Sequence, residues 1–333
     1  MNEPLRPLNL GEILDCTFQI YRAKFLLFVG IAALPALVII VLEAVNRIWW
    51  GLVPHPYDGD LSLTLLQWTI YTTALYQIAL LLHLLFWPAS VSLTSQLYFG
   101  ESPQLTALAF RGNSRWRSWF WMAVATWGIV LILPELLIGG VAIGVLYILS
   151  EVMMVGSDAM DNLAIWIIFS AFAVGFFAFF WLSSALLIAI PVKSLERLTI
   201  GKSLRRSWML SRGCRWKIVH VRLALVIIAW LANLSLLISL NLFLRWIVNS
   251  FGIWWHFYRN IYTGIGLFVA FIVSILFGPI FPIAITLIYY DQRIRHEGYD
   301  IERMMEAAGL IAPGPQPSGD GFATPAEAVE GQA

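Results

Sequence analysis

The chain contains six apolar segments that are each long enough to cross a lipid bilayer as a helix. A helix rises 1.5 Å per residue and the hydrocarbon core is about 30 Å thick, so about 20 apolar residues make one span. Charged residues form only 12% of the 333, against about 25% in an average soluble domain. The sequence therefore predicts an all-α, polytopic six-helix transmembrane bundle. Its spans lie approximately at residues 25–45, 63–87, 119–149, 164–190, 224–248 and 261–288.

The third apolar segment is longer than one straight span requires. At helical rise it would extend roughly 46 Å, well beyond the hydrocarbon core. Pro134 lies inside it, and proline interrupts helical hydrogen bonding. We expect a span that ends near Pro134, followed by either a tilted continuation or an interfacial segment over residues 135–150.

The distribution of positive charge predicts the orientation of the chain. Of the 21 Lys and Arg residues, only Arg47, Arg245 and Arg259 fall on the proposed outer side. The positive-inside rule then places both termini in the cytoplasm. Cys16 and Cys214 fall in the charged inner segments, where thiols stay reduced. The net charge of +1 argues against nucleic-acid binding, which needs a clear cationic surplus.

An internal repeat precedes alternate spans. "LGEILDCTFQIYRAKF" at residues 10–25 aligns with "IGKSLRRSWMLSRGCR" at 200–215, and "SPQLTALAFRGNSRWRSW" at 102–119 fits more loosely. In each copy the predicted helix starts at a residue suited to cap it, namely Asn9, Ser102 or Thr199. The sequence predicts three units, each an amphipathic interfacial helix plus a transmembrane hairpin. The units cover about 1–101, 102–198 and 199–305 of a membrane domain at 1–305, and a disordered cytoplasmic tail follows at 306–333.

Helical periodicity assigns faces to two of these interfacial helices. In the first, the predicted apolar face comprises Leu10, Leu14, Phe18 and Tyr21. In the helix at 200–215, the predicted apolar stripe comprises Ile200, Leu204 and Trp208. Prolines at positions 88, 191 and 282 lie where the second span of each unit is expected to end.

A dense cluster of cations lies in the inner segment at 198–217. The simplest interpretation is a topology determinant that makes non-specific contact with lipid, since attraction to an anionic leaflet contributes about 1 kcal/mol per nearby cation. The alternative is a defined site for an anionic headgroup or a protein partner. The candidate contact residues are Lys202, Arg205, Arg206, Arg212, Arg215 and Lys217.

Polar residues inside apolar spans are a second class of candidate, because each is costly in lipid. Glu135 either lies at the outer boundary or lines a cavity. Asn233 and Asn241 share one face of the fifth span, where they would form interhelical hydrogen bonds or line a substrate path. His83 is expected to pack within the bundle.

Three stretches resemble the glycerophosphoryl diester phosphodiesterase membrane-domain family of bacteria. They are "RPLNLGEILDCTFQIYRAKF" at 6–25, "LERLTIGKSLRRSWMLSRGCRWK" at 195–217 and "GPIFPIAITLIYYDQRIRHEGYDIE" at 278–302. The resemblance implies a six-span domain of the bacterial inner membrane. It implies no phosphodiesterase activity here, because a catalytic barrel needs about 250 residues and the stretch after 305 is short.

We expect a non-catalytic scaffold or accessory protein whose basic helices contact anionic lipid or a protein partner at the cytoplasmic face. The alternative is a transporter or lipid-handling permease with a site inside the helix bundle. An intramembrane enzyme would depend on Glu135 as its acid or base. No H-E-x-x-H, Walker A, G-x-G-x-x-G or G-x-S-x-G motif occurs in a suitable context, and we expect no cofactor and no metal.

Overall fold

A computed structural model describes residues 6–52, 61–102, 113–133, 157–196, 198–251 and 255–310. Within these ranges the secondary structure is entirely helical. The long helices are α2 (Phe25–Leu52), α3 (Leu61–Tyr98), α5 (Ser157–Leu186), α8 (Arg215–Phe251) and α9 (Trp255–Phe277). The shorter ones are α1 (Leu10–Ala23), α4 (Asn113–Trp127, continued by a π-helical turn at Gly128–Ile132), α6 (Ala189–Glu196), α7 (Ile200–Leu210), α10 (Ile280–Glu297) and α11 (Tyr299–Ala307).

Five stretches of the described chain are long and apolar enough to cross a membrane, which indicates a multi-pass membrane protein. They are Phe25–Asn46, Thr73–Tyr98, Ala173–Glu196, Arg215–Ser250 and Gly264–Glu297. The predicted third span is described only as far as Leu133, so Pro134, Glu135 and the path of 135–150 lie outside the described residues.

The expectation that spans end at prolines is wrong for Pro88, which lies inside α3. The helix continues for ten residues to Tyr98, and tertiary packing compensates for the lost backbone hydrogen bond, since Val91, Leu93 and Thr94 are fully buried. Pro191 and Pro282 instead lie in the first turns of α6 and α10. Backbone N–H groups in a first turn have no intrahelical acceptor, so a proline there costs no hydrogen bond.

Helix α1 begins at the predicted cap. The Asn9 side chain accepts a hydrogen bond from the Glu12 backbone N–H at 2.8 Å, and the Glu12 carboxylate accepts one from the Asn9 N–H at 2.7 Å. The face of α1 that packs on the protein shares only Tyr21 with the predicted apolar face, on which Leu10 and Phe18 are exposed and Leu14 is half-buried. The buried residues of α1 are Ile13, Thr17, Ile20 and Tyr21.

Helix α7 likewise packs on the protein through a face that differs from its predicted apolar stripe. Thr199 occupies the cap position, although its side chain makes no capping bond. Trp208 is 38% exposed, whereas the face that packs inward is formed by Ser203, Ser207 and Leu210. Small serine side chains let α7 approach the bundle closely, so the bulky indole stays outside. In the alignment of the repeat, these buried positions match Ile13, Thr17 and Ile20 of α1, and Trp208 matches Phe18.

The best-packed part of the molecule lies at one end of the bundle, which we call the polar end. Helix α1 packs on α10, and α7 packs on α6. Almost every residue of α10 from Ile280 to Gln292 is buried, and its side chains form the centre of the main core. Helix α11 folds back on α10 and runs across the predicted boundary at residue 305.

Candidate functional site

The six cations of the 198–217 cluster divide into two groups in the structure. Lys217 and Arg206 form ion pairs inside the protein. The other four form no ion pair with any residue that the structure describes. Those four are Lys202, Arg205, Arg212 and Arg215.

Lys217 belongs to a buried junction around the Asp291 carboxylate. Asp291 is 1% exposed and accepts hydrogen bonds from Lys217 Nζ at 2.9 Å and Arg295 Nε at 3.0 Å. It also accepts one from the backbone N–H of Leu8 at 2.8 Å. The Leu8 carbonyl in turn accepts from Lys217 and Arg295, each at 2.9 Å. The Gln292 Nε2 donates a fourth hydrogen bond at 3.2 Å. A buried carboxylate with four donors is fully compensated, so this junction is a structural element.

Arg206 belongs to a second network, which joins α6, α7 and α10. Its guanidinium contacts the Glu196 carboxylate and lies 2.9 Å from the Glu297 carboxylate. The Tyr289 hydroxyl donates to Glu196 at 2.8 Å, and Arg293 pairs with Glu297 at 3.0 Å. Burial lowers the pKa of Arg206, but the bond to Glu196 and the two carboxylate charges more than offset it, so the pKa is raised overall.

Two of the remaining four cations, Arg212 and Arg215, line a shallow groove at the turn between α7 and α8. The groove encloses about 450 Å³. Gly213 forms its floor with φ of 90°, a left-handed conformation that glycine adopts without steric cost. Its lining residues come from the end of α5, the end of α7, the turn and the start of α8. They are Trp181, Trp208, Arg212, Gly213, Arg215 and Trp216.

The Arg215 side chain is the best-positioned group in this groove. Its guanidinium carbon lies 4.1 Å from the centre of the Trp208 ring and 5.2 Å from that of Trp181. Its Nε donates to Ser211 Oγ at 3.4 Å. Cation–π stacking involves the face of a guanidinium, so the N–H groups at its edge can still donate hydrogen bonds to another group. That edge is a donor pair suited to a phosphate or carboxylate.

Aromatic side chains also line the groove. Trp216 contacts Trp181 edge-to-face, with ring centres 5.9 Å apart, and is 57% exposed. Indoles have a polar N–H and an apolar ring, which suits the boundary between headgroups and acyl chains. The groove therefore presents cations and exposed aromatic surface at one level.

Cys214 follows Gly213 in the chain but does not line the groove. Its thiol is buried, and burial raises its pKa to about 12. The thiol stays protonated at neutral pH, so it is neither a nucleophile nor a thiolate ligand there.

The intramembrane candidates do not form a site in the described part of the chain. His83 Nδ1 lies 3.0 Å from the Ala79 carbonyl of its own helix. Asn233 and Asn241 are half-buried on α8. Glu135 lies outside the described residues. Across the described ranges, no group of three His, Cys, Asp or Glu side chains could hold a metal ion.

Sequence reasoning missed the acids that neutralise part of the basic cluster, above all Asp291 and Glu196. Asp291 is a single acid that directly follows the apolar run "FPIAITLIYY", and an acid in that position is costly unless it is paired. This cost indicates, from the sequence alone, that Asp291 has a partner. Its partners, 74 and 283 positions away, could not be read from spacing.

Comparison with protein-family models, curated proteins and solved structures found no match for this chain.

Proposed function

We propose that this chain is a non-catalytic, multi-pass membrane protein that binds anionic lipid headgroups through the surface formed by Lys202, Arg205, Arg212 and Arg215. The observation that carries the proposal is the division of the cations. These four have no carboxylate partner among the described residues, whereas Arg206 and Lys217 do. We call the four residues the basic surface.

The magnitude of the electrostatic attraction supports this function. Each cation near an anionic leaflet contributes about 1 kcal/mol, so four contribute about 4 kcal/mol together. Exposed Trp208 and Trp216 add interfacial anchoring beside them. A scaffold role needs only this retention of lipid and the rigid polar end on which α7 rests.

The proposed orientation places the polar end at the cytoplasmic face of a bacterial inner membrane. The positive-inside rule and the anionic inner leaflet both favour that side for the basic surface. Placement of a partner protein at the same face is compatible with the proposal but is not required by it.

We further propose the three-unit architecture and membership of the glycerophosphoryl diester phosphodiesterase membrane-domain family. The matched burial of α1 and α7 supports the repeat, although the second copy falls largely in 103–112, outside the described residues. The Asp291 junction supports the family resemblance, because Leu8, Lys217 and Asp291 come one from each of the three stretches that carry it.

Lipid analysis of the purified full-length protein tests the function. The lipids retained after extraction in a mild uncharged detergent are expected to be enriched in anionic headgroups relative to the membrane from which they came. A Lys202→Gln, Arg205→Gln double variant is expected to lose about half of that enrichment, because two of four cations are removed. Arg245→Gln is the matched control, since Arg245 is exposed at the far end of α8. Retained lipids with the bulk composition would refute the proposal.

A further inference from the structure

We infer that the groove between α7 and α8 is a specific binding site for one anionic phospholipid, whose phosphate is bound by the edge of Arg215. This inference rests on the proposed function and adds to it a single site of defined stoichiometry. Lipids attracted only by surface charge would occupy no single site and would bind with no defined stoichiometry.

The first argument is the fixed orientation of Arg215. A free arginine side chain loses conformational entropy when it binds a ligand, whereas this one is already held by contacts with the Trp208 and Trp181 rings and with Ser211. A guanidinium stacked on an indole directs its N–H donors along one plane. Planar, paired donors match the oxygen atoms of a phosphate.

The second argument is the charge and the hydrophobic surface at the groove. Arg212 is exposed beside Arg215 and supplies a second cation. Trp216 and Trp181 supply apolar surface on the side of the membrane-spanning helices α5 and α8. A ligand complementary to this arrangement has an anionic head joined to an apolar body. A phospholipid with net negative charge has both parts and lies at this depth of the bilayer.

The volume of the groove agrees with a headgroup and not with a whole lipid. About 450 Å³ accommodates a phosphate with its glycerol, and the open side leaves the acyl chains to run along α5 and α8. The exposed apolar residues of α8 that would accompany those chains include Leu223, Val226, Ile227 and Trp230.

Titration of the full-length protein with phosphatidylglycerol in an uncharged detergent, read by native mass spectrometry, tests the inference. The unmodified protein is expected to show one saturable lipid of higher affinity than the rest. Arg215→Lys keeps the charge but loses the planar donor pair and is expected to weaken that lipid about tenfold. Trp208→Leu removes one stacking ring and is expected to weaken it several-fold. Arg22→Lys is the matched control, because Arg22 is exposed on α1, away from the groove.

The outcomes separate this inference from the proposed function. If the protein prefers phosphatidylglycerol over phosphatidylcholine but Arg215→Lys binds like the parent, the specific site is refuted and the basic surface remains. If the protein shows no preference between the two lipids, both fail. Equal binding of glycerol 3-phosphate without acyl chains would refute the lipid as the ligand. Thermal unfolding midpoints of the variants, unchanged within a few degrees, exclude a folding defect.

Discussion

The backbone N–H of Leu8 donates a hydrogen bond to the Asp291 carboxylate at 2.8 Å, across 283 positions of the chain. This bond joins the segment that precedes α1 to α10, close to the end of the last span. Lys217 and Arg295 bind both the carboxylate and the Leu8 carbonyl, so the two cations connect the same two segments. The segment that precedes α1 and helix α10 are thereby held together at the polar end.

Asp291→Asn is expected to lower the free energy of unfolding by about 3 kcal/mol, because it leaves Lys217 and Arg295 without their buried counter-charge. Thermal unfolding in detergent measures the effect. Asp15→Asn, at an exposed site of α1, is the control and should change stability by less than about 0.5 kcal/mol. Equal stability of the two variants would contradict the structural role of the junction.

Substitutions of the adjacent residues Arg205 and Arg206 are expected to change different properties of the protein. Arg206→Gln removes the cation between Glu196 and Glu297, so we expect a loss of about 1 to 3 kcal/mol in stability. Arg205→Gln should leave the unfolding midpoint unchanged and lower the retention of anionic lipid instead. Unfolding curves and lipid analysis of both variants provide the measurement. A pair of variants with the same profile in both assays would show that the division of the cluster is wrong.

Glu12 is expected to give an acid-dependent contribution to stability. The bond from the Asn9 N–H, followed by the Arg6 guanidinium, lowers the pKa of Glu12 below its usual 4.5. A lowered pKa contributes stability above about pH 4.5, and that stability disappears as pH falls through the lowered value. Glu12→Gln keeps a capping residue without charge. The midpoint difference between parent and variant, measured from pH 7 to 3, should therefore shrink only on the acid side.

Cys214 is expected to resist thiol reagents in the folded protein. Its side chain is buried, and burial raises its pKa to about 12. In a Cys16→Ser variant, maleimide labelling at pH 7.5 should be at least about a hundredfold slower than in denaturant, because the thiolate reacts. Cys214→Ser reports on half-buried Cys16 for comparison. Rapid labelling of native Cys214 would contradict its burial.

Gly278→Ala is expected to destabilise the turn between α9 and α10. A Cβ at this position would lie 2.6 Å from the carbonyl oxygen of Ser274, which already accepts the Gly278 N–H at 2.8 Å. Because backbone must move to relieve that overlap, we expect a loss of about 2 kcal/mol. Gly30→Ala is the control, since a Cβ there meets no atom within 4 Å. Thermal unfolding of both variants measures the effect. Equal unfolding midpoints would show that the turn relieves the overlap without loss of stability.

Helix positions were largely predictable because they depend on local chemistry. The Asn9 cap and the start of α7 after Thr199 follow from residue types within one helical turn. Which face of α1 and of α7 packs against the rest of the protein was not predictable. Phe18 and Trp208 belong to an apolar stripe by periodicity, yet in a membrane protein an apolar side chain finds a favourable environment in lipid as well as in the core. Periodicity alone cannot distinguish the two.

The amino-acid sequence determined that this protein is helical, apolar over five described span-length stretches, and basic in the segment at 198–217. Each of these properties is carried by neighbouring residues. The tertiary structure alone decided which cations are neutralised, because Asp291, Glu196 and Glu297 reach Lys217 and Arg206 only after distant helices pack. It also decided that Arg215 is held by contacts with two indoles from different helices. Charge can be counted along a chain, but its compensation depends on distances in space.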